Sequence, residues 1–204
     1  MNKEYWDERY ARSEYAYGEA PNVFIEETLP KYPTGKILFP ADGEGRNSVY
    51  AAKLGWTVSA FDLSDKGKQK AMDLATAFNV AIDYEVSGAE DVNYELESFD
   101  AIAFVFAHFP ASVKQQYNKK MLDFLKSGGL VFFEAFGKDH IEYQEKYPSI
   151  GGPKDVAMLF SKEELMDSFA DFEVILLEVV EQTLNEGPFH QGVGSVIRFI
   201  GRKK

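Results

Sequence analysis

Four residues in the first third of this chain have the types and spacing for ligand chemistry: Asp42, Gly43, Gly45 and, twenty residues after the first of them, Asp62. Glycines let backbone approach a ligand closely, and an acid at the tip of a following strand accepts hydrogen bonds from ribose hydroxyls. Near the other end, Glu186 and His190 stand four apart in Asn185-Glu186-Gly187-Pro188-Phe189-His190-Gln191-Gly192. A loop between two strands has no packing need for that pair, so His190 reads as a base or an acceptor-binding group with Glu186 as its orienting partner. The alternative is a polar hairpin loop whose glycines supply positive φ. His108, one of three histidines, closes an apolar run at Ala107-His108-Phe109-Pro110. It reads as an acid, a base, a substrate contact or a histidine bonded into the wall.

The elements that must position these residues follow from apolar spacing. Ile37 to Phe39 is a strand that breaks into the glycine turn, Val49, Ala52 and Leu54 recur at helical intervals, and Thr57 to Phe61 is a second strand stopping at Asp62. That is a βαβ unit with an acid at its tip. Ser64 caps a helix to Phe78 with Ala71, Met72, Ala75 and Phe78 as its inner stripe. Ala81 to Val86, Phe99 to Phe106 and Leu130 to Phe136 are further strands, the latter two without polar alternation, as in parallel strands buried on both faces. Between them, Val113 to Leu125 is a helix that Gly128-Gly129 is expected to close. From Lys138 to Leu159 periodicity is lost and Pro148, Gly151, Gly152 and Pro153 mark a long loop, often an active-site lid. Ser161-Lys162-Glu163-Glu164 is a capping box, with Phe160 and Leu165 placed for a hydrophobic staple. Phe172 to Glu181 and Val193 to Gly201 are joined by a loop, hence antiparallel at the sheet edge.

The sum is an α/β fold: one doubly wound, seven-stranded, mostly parallel sheet with an antiparallel edge hairpin and helices on both faces. A chain of 204 residues reads as a single domain, residues 1–204, with residues 1–30 as a helical cap. Lys3 to Arg12 sets Trp6 and Tyr10 four apart with Arg9 on an adjoining face, and Pro21-Asn22 opens a second helix. A formal charge of −11 repels phosphate backbones and anionic lipid, so nucleic acid and membrane are not expected partners. No cysteine is present, which removes disulfides and thiolate metal sites, and no metal site is expected. No apolar run reaches the roughly 20 residues of a membrane span. The expectation is a soluble cytoplasmic protein, monomeric or homodimeric.

Gly43-Glu44-Gly45-Arg46-Asn47 resembles the first motif of class I S-adenosylmethionine-dependent methyltransferases, in particular small-molecule enzymes of the tellurite-resistance and thiopurine methyltransferase type. Tyr5-Trp6-Asp7-Glu8-Arg9-Tyr10, Tyr17-Gly18 with Pro21-Asn22, Ser127-Gly128-Gly129 and the 186–192 loop extend the resemblance along the chain. It implies S-adenosylmethionine as cofactor and a small-molecule methyl acceptor, such as a thiol, a selenium or tellurium oxyanion or another soft nucleophile. On the matching positions, Ala41, Asp42, Gly43, Gly45, Arg46 and Asn47 become the cofactor turn and Asp62 the ribose acceptor. Leu63 packs on adenine, Ala89 and Glu90 meet its edge, and Trp6, Arg9 and Tyr17 cover the methionine end. Phe106 joins Trp6, Tyr17, Phe109 and Phe189 in an aromatic wall. The chain departs from the pattern at Phe39, where the family has an acid, and at Ala41, where it has its first glycine.

Two other classes share these features. A nicotinamide-dependent oxidoreductase uses the same βαβ unit, but Ser48 stands where its third glycine belongs and no Tyr-x-x-x-Lys pair accompanies the fourth strand. A non-catalytic S-adenosylmethionine-binding protein would keep the turn without turnover.

Overall fold

A computed structural model describes residues 2–204. Seven strands form one sheet in the order β3-β2-β1-β4-β5-β7-β6. Their ranges are β1 Lys36–Pro40, β2 Thr57–Asp62, β3 Asp83–Val86, β4 Phe99–Val105, β5 Leu125–Phe136, β6 Phe172–Asn185 and β7 Gln191–Lys203. β1 to β5 run parallel and β7 lies antiparallel between β5 and β6. The helices are α1 Lys3–Tyr10, α2 Val23–Thr28, α3 Arg46–Lys53, α4 Asp65–Ala77, α5 Lys114–Asp123, α6 His140–Lys146 and α7 Lys162–Ser168.

Two apolar layers sandwich the sheet. Leu38, Phe61, Ile102, Phe104, Phe133 and Phe199 face one way with Leu165 and Phe169, while Ile37, Phe39, Ala101 and Phe132 face the other with Ile25, Leu29, Val49 and Leu74. Each fully buried phenylalanine contributes on the order of 1.5–3 kcal/mol. This alternation explains the unbroken apolar runs: a strand covered by helices on both faces has no solvent side.

Several elements differ from the sequence expectation. α5 ends at Asp123 with Phe124 as its C-cap, and β5 begins at once because Leu125 pairs with Phe99. Gly128-Gly129 therefore does not close the helix; it lies in the irregular stretch between that pair and the next, Ala101 with Leu130. On α4, Ala71, Leu74 and Ala75 are buried, whereas Met72 and Phe78 are exposed. Position 74 completes the inward face, and Phe78, the C-cap, lies past the last turn that packs. The 138–159 segment contains α6 and a 3₁₀ turn at Val156–Met158 rather than loop alone. The Ser161 capping box forms as expected, with Phe160 and Leu165 buried in one cluster.

Strand order reverses between β1 and β4, and at that point the carboxyl ends of open α/β sheets bind ligands. The edge hairpin also reaches this end. β5 stops at Phe136, paired with Val196, which in turn pairs with Val180, yet β6 continues to Asn185. Five further residues at about 3.4 Å each carry the 186–190 loop roughly 17 Å past the tip of β5 and over the cavity.

Candidate functional site

The strand tips, α1, the hairpin loop and the segment after α6 enclose a cavity of about 540 Å³. Its floor at one end is the glycine turn. Ala41 has φ 53°, followed by Gly43 at 63° and Gly45 at 86° before α3 begins. A Cβ on Gly43 would sit 2.7 Å from the Tyr10 hydroxyl, and one on Gly45 2.5 Å from the Ala71 Cβ, so both glycines are sterically required. Ala41 adopts the left-handed conformation that the missing first glycine would favour, at a cost of about 1 kcal/mol.

Asp62 anchors this turn. One carboxylate oxygen accepts from the Gly43 N–H at 3.1 Å and the other from the Ser64 N–H at 3.0 Å. Burial pushes its carboxyl up to about 6 against the pull of those N–H groups. Asp42 goes further: burial lifts it to about 8, and its Oδ2 has no hydrogen-bond partner. Glu44, to which the sequence reading assigned no role, is also buried. It accepts from the Ala16 N–H at 2.7 Å and pairs with Lys70 at 2.7 Å, which ties the chain after α1 to the turn.

α1 thus lies across the cavity mouth. Arg9 donates to the hydroxyls of Tyr17 at 2.9 Å and Tyr5 at 2.6 Å and sits 4.2 Å from the Phe189 ring centre, with no carboxylate partner. Trp6 stacks on Tyr10. Leu63, Ala89 and Glu90 line the same wall as Asp62, so the positions expected to contact one ligand are brought together.

The opposite end is built by residues far apart in the chain. His190 Nδ1 lies 3.1 Å from Glu186 Oε2, both side chains being buried. Arg46 donates to the same Glu186 oxygen at 2.9 Å and to the Tyr17 carbonyl at 3.1 Å. Asn22 donates to the other Glu186 oxygen at 3.3 Å and to Glu134 at 2.6 Å, and Arg198 closes the network on Glu134 at 2.6 Å. Burial disfavours the Glu186 anion, yet the His190 N–H and the Arg46 guanidinium hold its carboxyl at about 2. Burial lowers the His190 pKa, with Glu186 opposing, so the ring is neutral near pH 7 and its Nδ1–H donates to Glu186. Its Nε2 has no partner on the cavity wall.

Three expected roles change. Arg46 is committed to Glu186, so it belongs to the hairpin-end network rather than standing as a free cation for the glycine turn. The Asn47 side-chain oxygen accepts from the Asn22 N–H at 2.9 Å and is thereby used inside the protein. His108 is not placed as a base: its Nδ1 faces the Met158 carbonyl at 3.1 Å and its Nε2 accepts from the Phe136 N–H at 3.3 Å. With both nitrogens occupied and burial holding its pKa at about 4, it braces the wall between β5 and the 156–158 turn.

Aromatic rings frame His190. Phe106, with φ 52° at the tip of β4, stands edge-on to it at 4.8 Å, Tyr17 lies at 4.5 Å and Phe136 at 5.4 Å. A bulky residue at positive φ is strained by about 1–3 kcal/mol, a strain that turns Phe106 toward the cavity. Gly151 and Gly152, at φ 80° and 83°, bring the segment after α6 against this wall. A Cβ on Gly151 would meet the Phe189 carbonyl at 2.4 Å, and one on Gly152 the Phe136 ring at 2.8 Å. Gln144 and His140 hold the pair through the Gly151 carbonyl at 2.7 and 3.1 Å. The roles of Asn22, Glu134, Arg198 and Gln144 and the strained φ of Phe106 were missed by sequence reasoning, which marked Asn22 only as a helix start, Glu134 only as part of a strand tip and Phe106 only as an aromatic wall residue.

Among the described residues no cluster of three or more His and carboxylate side chains is arranged for a metal ion. No helix among them is long and apolar enough to cross a membrane.

Residues 37–129 match a family described as a methyltransferase domain. The chain is similar to the ubiquinone/menaquinone biosynthesis C-methyltransferase UbiE of Geotalea daltonii, 28% identical over 169 residues, covering 73% of this chain and 68% of that one. Its fold is similar to that of a protein solved in connection with conversion of a disulfide bond into a thioacetal group during echinomycin biosynthesis. That match has TM-score 0.77 and 18% identity over 98% of this chain and 92% of the other. It is also similar to TehB from Haemophilus influenzae, with TM-score 0.72 and 18% identity over 99% and 67% of the two chains. A third solved structure is an S-adenosylmethionine-dependent methyltransferase from Anabaena variabilis, at TM-score 0.66 and 16% identity over 99% and 93%.

Proposed function

We propose that this chain is a class I S-adenosylmethionine-dependent methyltransferase and that it methylates a small-molecule acceptor held in the aromatic half of its cavity. The observation that carries the reading is that one cavity contains both the Asp62-braced glycine turn and an unpartnered His190 nitrogen.

The residues present fit the cofactor. Asp42 Oδ2 is a buried oxygen without a partner beside the glycine turn that lines the cavity. Asp62 would take the ribose hydroxyls, Leu63 the adenine face, and Ala89 N–H with Glu90 the adenine edge. Arg9, Tyr17 and Trp6 would hold the methionine carboxylate and flank the sulfonium, to which aromatic faces are attractive. Once bound, S-adenosylmethionine supplies a methyl group already activated by its positive sulfur. The protein therefore contributes chiefly by orienting the acceptor and excluding water, worth up to about 7–11 kcal/mol of barrier. His190 Nε2 takes the proton of an acceptor that must lose one, while Glu186 and Arg46 keep the ring in the tautomer that leaves Nε2 free. A thiol or a metalloid oxyanion needs little such help. A cytoplasmic location and a monomeric or homodimeric state belong to the same proposal.

Calorimetry with S-adenosylmethionine, S-adenosylhomocysteine and NADH tests the reading. Micromolar binding of the first two and none of NADH is expected. Tight NADH binding alone would return the turn to an oxidoreductase, and cofactor binding without any methylated acceptor would leave a binding protein.

A further inference from the structure

We propose that the acceptor is a neutral, flat molecule whose reacting atom is a hydroxyl oxygen, and that it lies on the aromatic wall built by Phe106, Phe136 and Tyr17 with its O–H directed at His190 Nε2. The inference rests on the methyltransferase reading and narrows it to one acceptor chemistry.

Three observations converge. First, His190 has one nitrogen fixed on Glu186 and the other unpartnered at the cavity wall, the arrangement of an oriented base. A thiol ionises near neutral pH and a metalloid oxyanion is already charged, so neither needs a base oriented by a buried carboxylate that Arg46 and Asn22 hold in turn. A hydroxyl does, because its own pKa of about 10 when phenolic leaves almost no nucleophile at pH 7. Second, the cations lining the cavity are Arg9, Arg46 and Lys154. Arg46 is neutralised by Glu186, Lys154 is exposed at the mouth, and Arg9 lies under Phe189 at the cofactor's methionine end. An oxyanion beside His190 would thus meet a neutral ring, with Arg46 already paired to Glu186 and Arg9 engaged by the Tyr17 and Tyr5 hydroxyls. Third, Phe106, Phe136 and Tyr17 pack around His190 at ring-centre separations of 4.8, 5.4 and 4.5 Å and offer an apolar aromatic wall, which suits a planar ring over a branched chain.

The step balances without a further reagent. The acceptor's O–H bond breaks and its proton goes to Nε2, while an oxygen lone pair forms the new bond to the methyl carbon. The methyl–sulfur bond breaks in the same displacement, its electron pair returning to sulfur as a neutral thioether. The imidazolium, held by Glu186, then releases its proton to water. The charged and titratable groups facing His190 are Glu186 and Arg46 from the network and Arg9 and Tyr17 from the amino-terminal segment.

The test uses the full chain with para-cresol and catechol as probes, against benzenethiol and sodium tellurite. Nitrogen-15 NMR of the wild-type imidazoles, with S-adenosylhomocysteine bound, should show His190 unprotonated at Nε2 and shifted by either phenol. With S-adenosylmethionine, the phenols should be methylated at a rate that is flat above the His190 pKa. His190→Gln should lower that rate about 10²–10⁴-fold at pH 7. The variant's rate should climb with pH as the phenol itself ionises, a recovery that a merely structural loss would not give. Methylation of tellurite or benzenethiol alone, or of the phenols with no dependence on His190, overturns the hydroxyl assignment. So does cofactor binding with neither phenol shifting the His190 signal. Failure to bind S-adenosylmethionine at all is a separate result and removes the methyltransferase reading itself.

Discussion

The two ends of the cavity treat their carboxylates in opposite ways. At the glycine turn, half-buried Asp42, with its Oδ2 enclosed, and buried Asp62 have no cation in contact, and desolvation raises them to about 8 and about 6. At the hairpin end, Glu186 is as deeply buried but touches Arg46 and His190, and its carboxyl is held at about 2. Burial alone does not set the charge; the partner does. The first end is left incomplete, with Asp42 Oδ2 unpartnered. The second is complete before any ligand arrives, as a base support should be.

Removing the cation breaks this contrast most severely. Arg46→Ala leaves Glu186 as an uncompensated buried anion and should cost about 3–5 kcal/mol in urea unfolding. Arg46→Lys should recover only part of that, because one ammonium does not reproduce contacts to both Glu186 and the Tyr17 carbonyl. At the incomplete end, Asp62→Ala should weaken S-adenosylmethionine binding by about 1–3 kcal/mol in calorimetry. A loss of fold stability larger than the loss of affinity would show that Asp62 serves the turn more than the ligand.

Stability against pH sharpens the comparison, because the two ends have opposite signs. Glu186 is lowered, so its contribution is present above the unfolded carboxylate range and is lost as pH falls toward 2. Asp62 and Asp42 are raised, so the folded state holds protons that the unfolded chain has released. Their contribution is present below about 4 and is lost as pH rises through about 6 and then about 8. Urea midpoints should therefore be lower at pH 8 than at pH 5, and saturating S-adenosylmethionine should shrink that difference by binding the ionised Asp62. The smallest effect is at Ala41: Ala41→Gly removes left-handed strain but frees the unfolded chain, for a net gain of at most about 1 kcal/mol. No gain in the urea midpoint would mean that the Ala41 methyl contributes packing that offsets its strain.

The glycine-turn end was legible in the order of residues and the hairpin end only in outline. Asp42, Gly43, Gly45 and Asp62 lie within one βαβ unit, whose geometry follows from local periodicity and turn chemistry. Their meeting needs no knowledge of the rest of the chain. Glu186 and His190 were visible as a pair because they share one loop. Their partners were not: Asn22, Arg46, Glu134 and Arg198 come from four separate segments, and only the sheet order brings them under the hairpin. His108 shows the converse. Its type and its place at a strand tip fit a base as well as a brace, and the Met158 carbonyl and Phe136 N–H that decide between them belong to distant stretches.

What the amino-acid order determined by itself is therefore the sheet, its seven strands, the glycine turn and the acid that serves it, since each depends on contacts within a few residues or on an apolar period. What only the tertiary structure decided is which buried groups are charged, which histidine presents an unpartnered nitrogen to the cavity and which rings pack around it. Those properties depend on partners and on distances between segments, and small differences in distance separate a paired ion from an orphaned one.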